Sequence, residues 1–297
     1  MNQDLSDRDL DDQDVVDKDV VDKDLAEAPL QQDGPSPAKK SPNTVLAPGE
    51  LARRLDECAI LLDIDGTLLD LAPTPREVWV PPGLATTLNG LLMRTSGALA
   101  LVSGRSLNDI DLIFAPEQFP AVGGHGAEMR ISTDSEAVAT HAPPMDKELK
   151  RRLAAIARLS PGILLEDKGY SLALHYRLAP HAEKAIYAAV SLIRADLPNA
   201  PIEVLPGKCV CEIKHSGFNK ATGVLELMTH EPFRGRRPIF IGDDVTDEAV
   251  FGIMPDLGGL AFSVGRHATG VADYFDEPRD VREWLAHLLD DEAAAGR

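Results

Sequence analysis

Cys58-Ala-Ile-Leu-Leu62, followed at once by Asp63-Ile-Asp65-Gly66-Thr67, is the stretch whose reading decides the fold. An apolar run that stops abruptly at carboxylates and a glycine predicts a short strand buried on both faces. The same grammar recurs twice. Ala98–Val102 runs into Ser103-Gly104-Arg105, and Pro238–Ile241 runs into Gly242-Asp243-Asp244-Val-Thr-Asp247-Glu248. Helical spacing follows the second run at Ile110, Ile113 and Phe114, and Lys220 opens a predicted helix over Ala221–Met228. Strands alternating with helices predict a doubly wound α/β fold with a parallel sheet, whose site lies beyond the carboxyl ends of the strands. The three polar clusters are therefore expected at one rim.

That rim has a definite chemistry. Asp63 and Asp65 are two apart and point the same way in extended backbone. Asp243 and Asp247 add carboxylates, which repel one another unless a cation sits between them. Oxygen-only ligands select a hard ion, and with phosphate present that ion is Mg²⁺. Thr67, Ser103 and the glycine-flanked backbone offer hydroxyls and N–H groups to phosphate oxygens. Lys220 is the candidate for the positive group against developing charge. Singly, each feature reads more simply: Asp-x-Asp as a solvated turn, Ser-Gly-Arg as a loop, the acidic stretch as helix-capping residues. Three such clusters, in order and each behind a buried strand, favour the joint reading.

Asp63-x-Asp-Gly-Thr-Leu68, Ser103-Gly-Arg105, Lys220 and Gly242-Asp-Asp-x-Thr-Asp-Glu248 together resemble the four motifs of the haloacid dehalogenase (HAD) superfamily of phosphohydrolases. The last motif, in that full form, resembles the trehalose-6-phosphate phosphatase family. The resemblance covers about residues 55–290. It implies a Mg²⁺-dependent hydrolysis of trehalose 6-phosphate in which Asp63 attacks phosphorus and Asp65 is the acid and base. Thr67, Ser103 and Lys220 would hold the phosphoryl group, with Arg105 also at the substrate. Mg²⁺ would be held by Asp63, the Asp65 backbone carbonyl and Asp243, with Asp244 and Asp247 as direct or water-mediated ligands.

Between Gly123-Gly-His-Gly126 and Lys220 the sequence changes pattern. Leu149, Leu153 and Ile156 have helical spacing, as do Ile186, Val190, Ile193 and Leu197. Ile163–Leu165 reads as a strand, and Leu172, Leu174, Tyr176 and Leu178 alternate as one, with Ser171, Ala173, His175 and Arg177 opposite. Ile202–Leu205 and Cys209–Lys214 read as two more, joined at Pro206-Gly207. Helix, strand, strand, repeated once, predicts a four-stranded antiparallel sheet with both helices on one face. This αββαββ unit resembles the superfamily's inserted α/β cap. The expected division is a core of 50–142 and 215–297 with a cap of 143–214. The family's sugar-binding pattern matches Glu166, Lys168, Arg177, Lys208 and Glu212. Mixed acids and bases suit sugar hydroxyls, which both donate and accept hydrogen bonds; cross-strand ion pairing explains the same alternation. His125 and Glu128 also match the family, although Gly123–Gly126 reads equally as a tight turn.

Composition excludes other classes. The 297 residues carry a net charge of −18 and only 5% aromatics, which argues against nucleic-acid binding. No apolar run approaches the roughly 20 residues of a membrane helix. Three cysteines form no disulfide framework, so a cytoplasmic enzyme is expected. Residues 1–33 hold twelve acidic and three basic residues, a net charge of −9, with a repeat of Asp-Val-Val-Asp-Lys at 14–18 and 19–23. This self-repelling stretch predicts a disordered acidic tail and linker over 1–49. It reads either as a solubilising arm or as one that meets a transient partner. The nearest rival activity is a phosphatase for sucrose or mannosylglycerate phosphate. A non-catalytic sugar-phosphate sensor would be expected to lack Asp63 or Asp65, and both are present.

Overall fold

The computed structural model describes residues 51–72, 77–134, 142, 144–207 and 209–295. The acidic tail and Lys208 lie outside them. Two sheets organise the described chain. The first has seven strands: β1 (Cys58–Leu62), β2 (Leu99–Val102), β3 (Ala121–Gly123), β4 (Glu128–Arg130), β9 (Arg237–Gly242), β10 (Leu260–Val264) and β11 (Asp273–Phe275). Their order is β11-β10-β9-β1-β2-β3-β4, parallel except for the edge strand β4.

Period-two alternation in β1 explains the layering. Ile60 and Leu62 point to one face, where α1 (Leu84–Arg94), α2 (Leu107–Phe114) and α7 (Pro278–Ala295) cover them with Leu88, Ile110 and Leu285. Ala59 and Leu61 point to the other, under α5 (Lys220–Leu227) and α6 (Glu248–Ile253) through Val224, Leu227 and Phe251. Every residue of β1 is buried. Complete burial, with no polar face to spare, is what a central strand between two helical layers requires.

The register fixes the rim. Leu62 pairs with Leu101 on one side and with Ile241 on the other, so β1, β2 and β9 end nearly level. Asp63, Ser103 and Asp243 leave the sheet side by side.

The second sheet is the inserted cap. It comprises α3 (Lys147–Ala155), β5 (Leu164–Asp167), β6 (Ser171–His175), α4 (Glu183–Asp196), β7 (Ile202–Gly207) and β8 (Val210–His215). The antiparallel order is β5-β6-β8-β7. Leu172, Leu174, Cys211 and Ile213 face the helices and pack on Leu149, Leu153, Ile186 and Val190. Glu166, Ala173 and Glu212 are register partners and so share the opposite face. Asp146 starts α3 by accepting the N–H groups of Glu148 and Leu149.

Two details depart from the periodicity. β6 stops at His175 instead of reaching Leu178: Tyr176 turns into the helix-packed core, Ala179 N donates to Tyr176 O at 2.9 Å, and Leu178 is exposed. Pro206 and Gly207 extend β7, pairing with Cys211 and Val210, so the chain reverses one step later at Cys209, whose φ is 61°. Proline is tolerated there because β7 is an edge strand.

Candidate active site

Asp63 follows the last residue of β1, and its backbone N–H donates to Ile241 O across the β1–β9 seam. The carboxylate is 3% exposed. Facing it is the ammonium of Lys220, the first residue of α5, which is also 3% exposed. Asn219 caps that helix in a reciprocal box with Thr222, which fixes where Lys220 begins. Lys220 Nζ donates to Asp63 Oδ1 at 2.7 Å and to Asp247 Oδ1 at 2.8 Å. The other oxygen of Asp247 accepts the backbone N–H groups of Asp243 and Asp244, each at 3.0 Å. Carboxylate oxygens of Asp63, Asp243 and Asp247 all lie within 4.8 Å of one another.

Electrostatics follow from that crowding. Burial holds the Asp63 carboxyl well above its ordinary value; Lys220 opposes this, while Asp247 and Asp243 reinforce it. Burial, then the charge of Asp247, pushes Asp243 up to about 6. Burial works against the charged form of Lys220, yet Asp63 and Asp247 more than offset it and keep its pKa above the ordinary value. One buried ammonium thus faces three clustered carboxylates. An oxygen-only donor set with excess negative charge fits a hard divalent cation.

The rest of the sequence-derived set falls around this centre. Thr67 is buried and its hydroxyl lies 3.4 Å from Asp243 Oδ1. Gly66 has φ 83°, and a Cβ there would run into the Asp243 carboxylate, so only glycine lets the two loops approach. Ser103 is buried, its Oγ accepting Arg105 N at 3.2 Å. Arg105 grips Asp65 with two donors, Nε to Oδ2 at 2.5 Å and Nη2 to Oδ1 at 2.6 Å. Asp244 stands apart from the carboxylate cluster: it is exposed and accepts Val245 N at 2.6 Å, capping a short 3₁₀ turn. The residue that joins Asp63 and Asp243 is Asp247. Its spacing of four from Asp243, which one helical turn folds back onto the same side, is the available sequence signal.

The cap residues divide into two groups. Lys168 Nζ lies 3.5 Å from Glu212 Oε1, and His125 Nε2 lies 4.0 Å from Glu212 Oε2, so these three meet where the cap sheet faces the core. Burial pushes the His125 imidazole down to about 4; Glu212 opposes this, while Lys220, Lys168 and Lys214 add to it. Glu166 instead pairs with His175 at 2.8 Å, both side chains about half exposed, and Arg177 sits in the exposed turn after β6. Two polar residues have no place in the sequence-derived set. Tyr170 donates to Glu128 across the cap–core boundary, and buried Lys214 donates to Phe218 O at 2.5 Å while pairing with Glu203 at 2.7 Å.

Comparison with known proteins places this arrangement. The trehalose-phosphatase family model matches residues 61–271. A probable trehalose-phosphate phosphatase of Sinorhizobium fredii is 44% identical over 217 residues, covering 72% of this chain and 80% of the relative. A trehalose-6-phosphate phosphatase of Escherichia coli is 37% identical over 227 residues, covering 76% and 85%. Among solved structures, the C-terminal domain of C. albicans trehalose-6-phosphate phosphatase matches with a TM-score of 0.66 at 22% identity, covering 82% of this chain and 97% of that one. A phosphatase of the haloalkanoate (HAD) enzyme superfamily from Bacteroides thetaiotaomicron matches with a TM-score of 0.52 at 15% identity, covering 77% and 94%. These two show the shared fold. By its match to the family model and its identity to these relatives, the chain belongs to the trehalose-phosphatase family.

Proposed function

We propose that the protein hydrolyses trehalose 6-phosphate to trehalose and phosphate through an aspartyl phosphate on Asp63. The observation that carries this reading is the buried Lys220–Asp63 contact of 2.7 Å at the end of the central strand, in a chain of this family. In the first step an Asp63 oxygen attacks phosphorus as the bond to the sugar oxygen breaks, and Asp65 gives that oxygen a proton. In the second, Asp65 takes a proton from water, water attacks the phosphoryl group, and Asp63 is released. Thr67, Ser103 and Lys220 hold the phosphoryl oxygens, because a loose transition state leaves positioning and charge stabilisation as the main work.

Arg105 adds a requirement. Its two donors occupy both carboxylate oxygens of Asp65. The sugar oxygen has to reach one of those oxygens, so the arriving phosphate must draw Arg105 towards itself.

Asp63, Asp243 and the Asp65 carbonyl would hold Mg²⁺, with Asp247 beside them. When bound, the ion supplies positive charge opposite the transferring phosphoryl group. Lys168 and Glu212 on the cap hairpins, with Lys208, Glu166, Arg177 and His125, would contact the sugar. No helix among the described residues is long and apolar enough to cross a membrane. Three unpaired cysteines support a reducing, cytoplasmic setting.

Phosphate release from the Mg²⁺-supplemented enzyme, across a panel of trehalose 6-phosphate, sucrose 6-phosphate, glucose 6-phosphate and p-nitrophenyl phosphate, tests the reading. Trehalose 6-phosphate is expected to lead in kcat/KM by about a hundredfold or more. Equal or faster turnover of another sugar phosphate would sink it.

A further inference from the structure

The cap touches the core through a relay that runs from Tyr170, in the turn between β5 and β6, to the start of α2. The Tyr170 hydroxyl donates to Glu128 Oε1 at 2.9 Å. Glu128 Oε2 accepts the backbone N–H of Leu107 at 2.6 Å. Leu107 opens α2, directly after the Ser103-Gly104-Arg105-Ser106 loop. One carboxylate therefore ties a cap phenol to the loop that carries Ser103 and Arg105.

The surroundings hold this relay in place. Tyr170 is 2% exposed and meets Phe218 edge to face at 5.8 Å between ring centres. Both pack with Ala127 and Ala142. Phe218 lies two residues before Lys220, on the segment that returns the chain from cap to core. Gly124 has φ 55°, and a Cβ there would collide with the Tyr170 hydroxyl, so the close approach requires glycine. Burial, then the charge of Glu128, pushes the Tyr170 phenol above its ordinary value, which keeps it a donor at every working pH.

The relay also sits between the two ends of the site. On the phosphate side are Ser103, Arg105 and Lys220. On the sugar side are Lys168, two residues before Tyr170, and Glu212, which accepts the hydroxyl of Ser171 at 2.8 Å. We infer that Tyr170 and Glu128 are positioning residues that set the span between the phosphate-binding and sugar-gripping ends of the site. This rests on the phosphatase reading above. A disaccharide phosphate must satisfy both ends at once, so an error in the span lowers the fraction of bound substrate that is aligned for attack. A small ester uses only the phosphate end and is indifferent to the span.

Tyr170→Phe removes one hydroxyl and keeps the ring. In the Mg²⁺-supplemented enzyme it is expected to lower kcat/KM for the preferred sugar phosphate about tenfold. Turnover of p-nitrophenyl phosphate should stay within about twofold of wild type, since that ester makes no use of the cap. Glu128→Gln keeps an acceptor for Leu107 N and is expected to act on the same ratio. Because the two side chains form one relay, the double variant should lose little more than the stronger single variant. Three results would overturn the inference: an unchanged substrate ratio in Tyr170→Phe, equal losses on both substrates, or fully additive single variants. If the wild type prefers a sugar phosphate other than trehalose 6-phosphate, the function reading fails, and the ratio taken with that sugar still judges the relay. A wild type indifferent to the sugar overturns both.

Discussion

Lys220 Nζ lies 2.7 Å from Asp63 and 2.8 Å from Asp247, so one ammonium joins the loop after β1 to the loop after β9. Both carboxylates are buried, and neither would be tolerated there as an isolated charge. Lys220→Met should therefore fail twice. Activity is expected to fall by about a hundredfold or more, on the scale of losing one preorganised charge donor. Removing one partner from a buried ion pair costs about 3–5 kcal/mol, readable as a lower urea midpoint. Without Lys220 the Asp63 carboxyl rises further, and a raised folded-state pKa gives stability at low pH that is lost as pH rises. The variant's deficit in metal-free buffer should be larger at pH 8 than at pH 5. A deficit independent of pH would contradict this account of the cluster.

Asp244 and Asp247 belong to one motif and differ in role. Asp247 is fully buried and accepts hydrogen bonds from Lys220, Asp243 N and Asp244 N. Asp244 is exposed, and its side chain accepts Val245 N as a helix cap. Asp247→Asn is expected to reduce kcat about a hundredfold, whereas Asp244→Ala should stay within about threefold and lose about 1 kcal/mol as a lost cap. Steady-state rates of the two variants at saturating Mg²⁺ decide it. The reverse ranking would move the third carboxylate of the site to Asp244.

His125 gives a pH prediction. Its folded-state pKa is pushed down to about 4, so the folded protein binds this proton less readily than the unfolded chain. Its contribution is fully present above the unfolded value of about 6.5 and is lost as pH falls towards 4. His125→Asn should remove that part of the acid sensitivity, and Asn accepts the positive φ of 57° that this position needs. Urea midpoints at pH 7 and pH 5 are the check. Parallel losses in the wild type and the variant would show that His125 contributes nothing to the slope.

Much of this architecture is legible in the chain because its strands are short and wholly apolar. The runs at 58–62, 98–102 and 238–241 supply β1, β2 and β9, and Asp63, Ser103 and Asp243 each follow the last residue of their strand directly. Lys220 is legible as the opening of α5 for the same local reason. The parts that escape a linear reading depend on distant partners. Arg105 is matched to substrate by motif, while its grip on Asp65, forty residues away, follows only from the pairing of β1 with β2. Tyr170–Glu128 joins elements that no periodicity relates. Pro206-Gly207 looks like a turn by composition, yet an edge strand needs no inward N–H from proline, and β7 continues through both.

Glu212 offers a test of the cap's sugar grip that is independent of the Tyr170 relay. Its carboxylate faces Lys168, His125 and Ser171 together. Glu212→Ala should lower kcat/KM for trehalose 6-phosphate about tenfold to a hundredfold and scarcely change turnover of p-nitrophenyl phosphate. Equal losses on both esters, with a native circular dichroism spectrum, would assign Glu212 to core positioning instead.

The most direct measurement is chemical capture of the covalent intermediate. The enzyme is mixed with trehalose 6-phosphate and Mg²⁺, quenched in acid within one turnover, and reduced with borohydride, which converts an acyl phosphate on aspartate to homoserine. Peptide mapping is predicted to find homoserine at position 63, absent from Asp63→Asn, whose carboxamide is a poor nucleophile and whose turnover should fall by several orders of magnitude. Modification at another carboxylate, or near-normal turnover by a folded Asp63→Asn, would contradict the account at its centre.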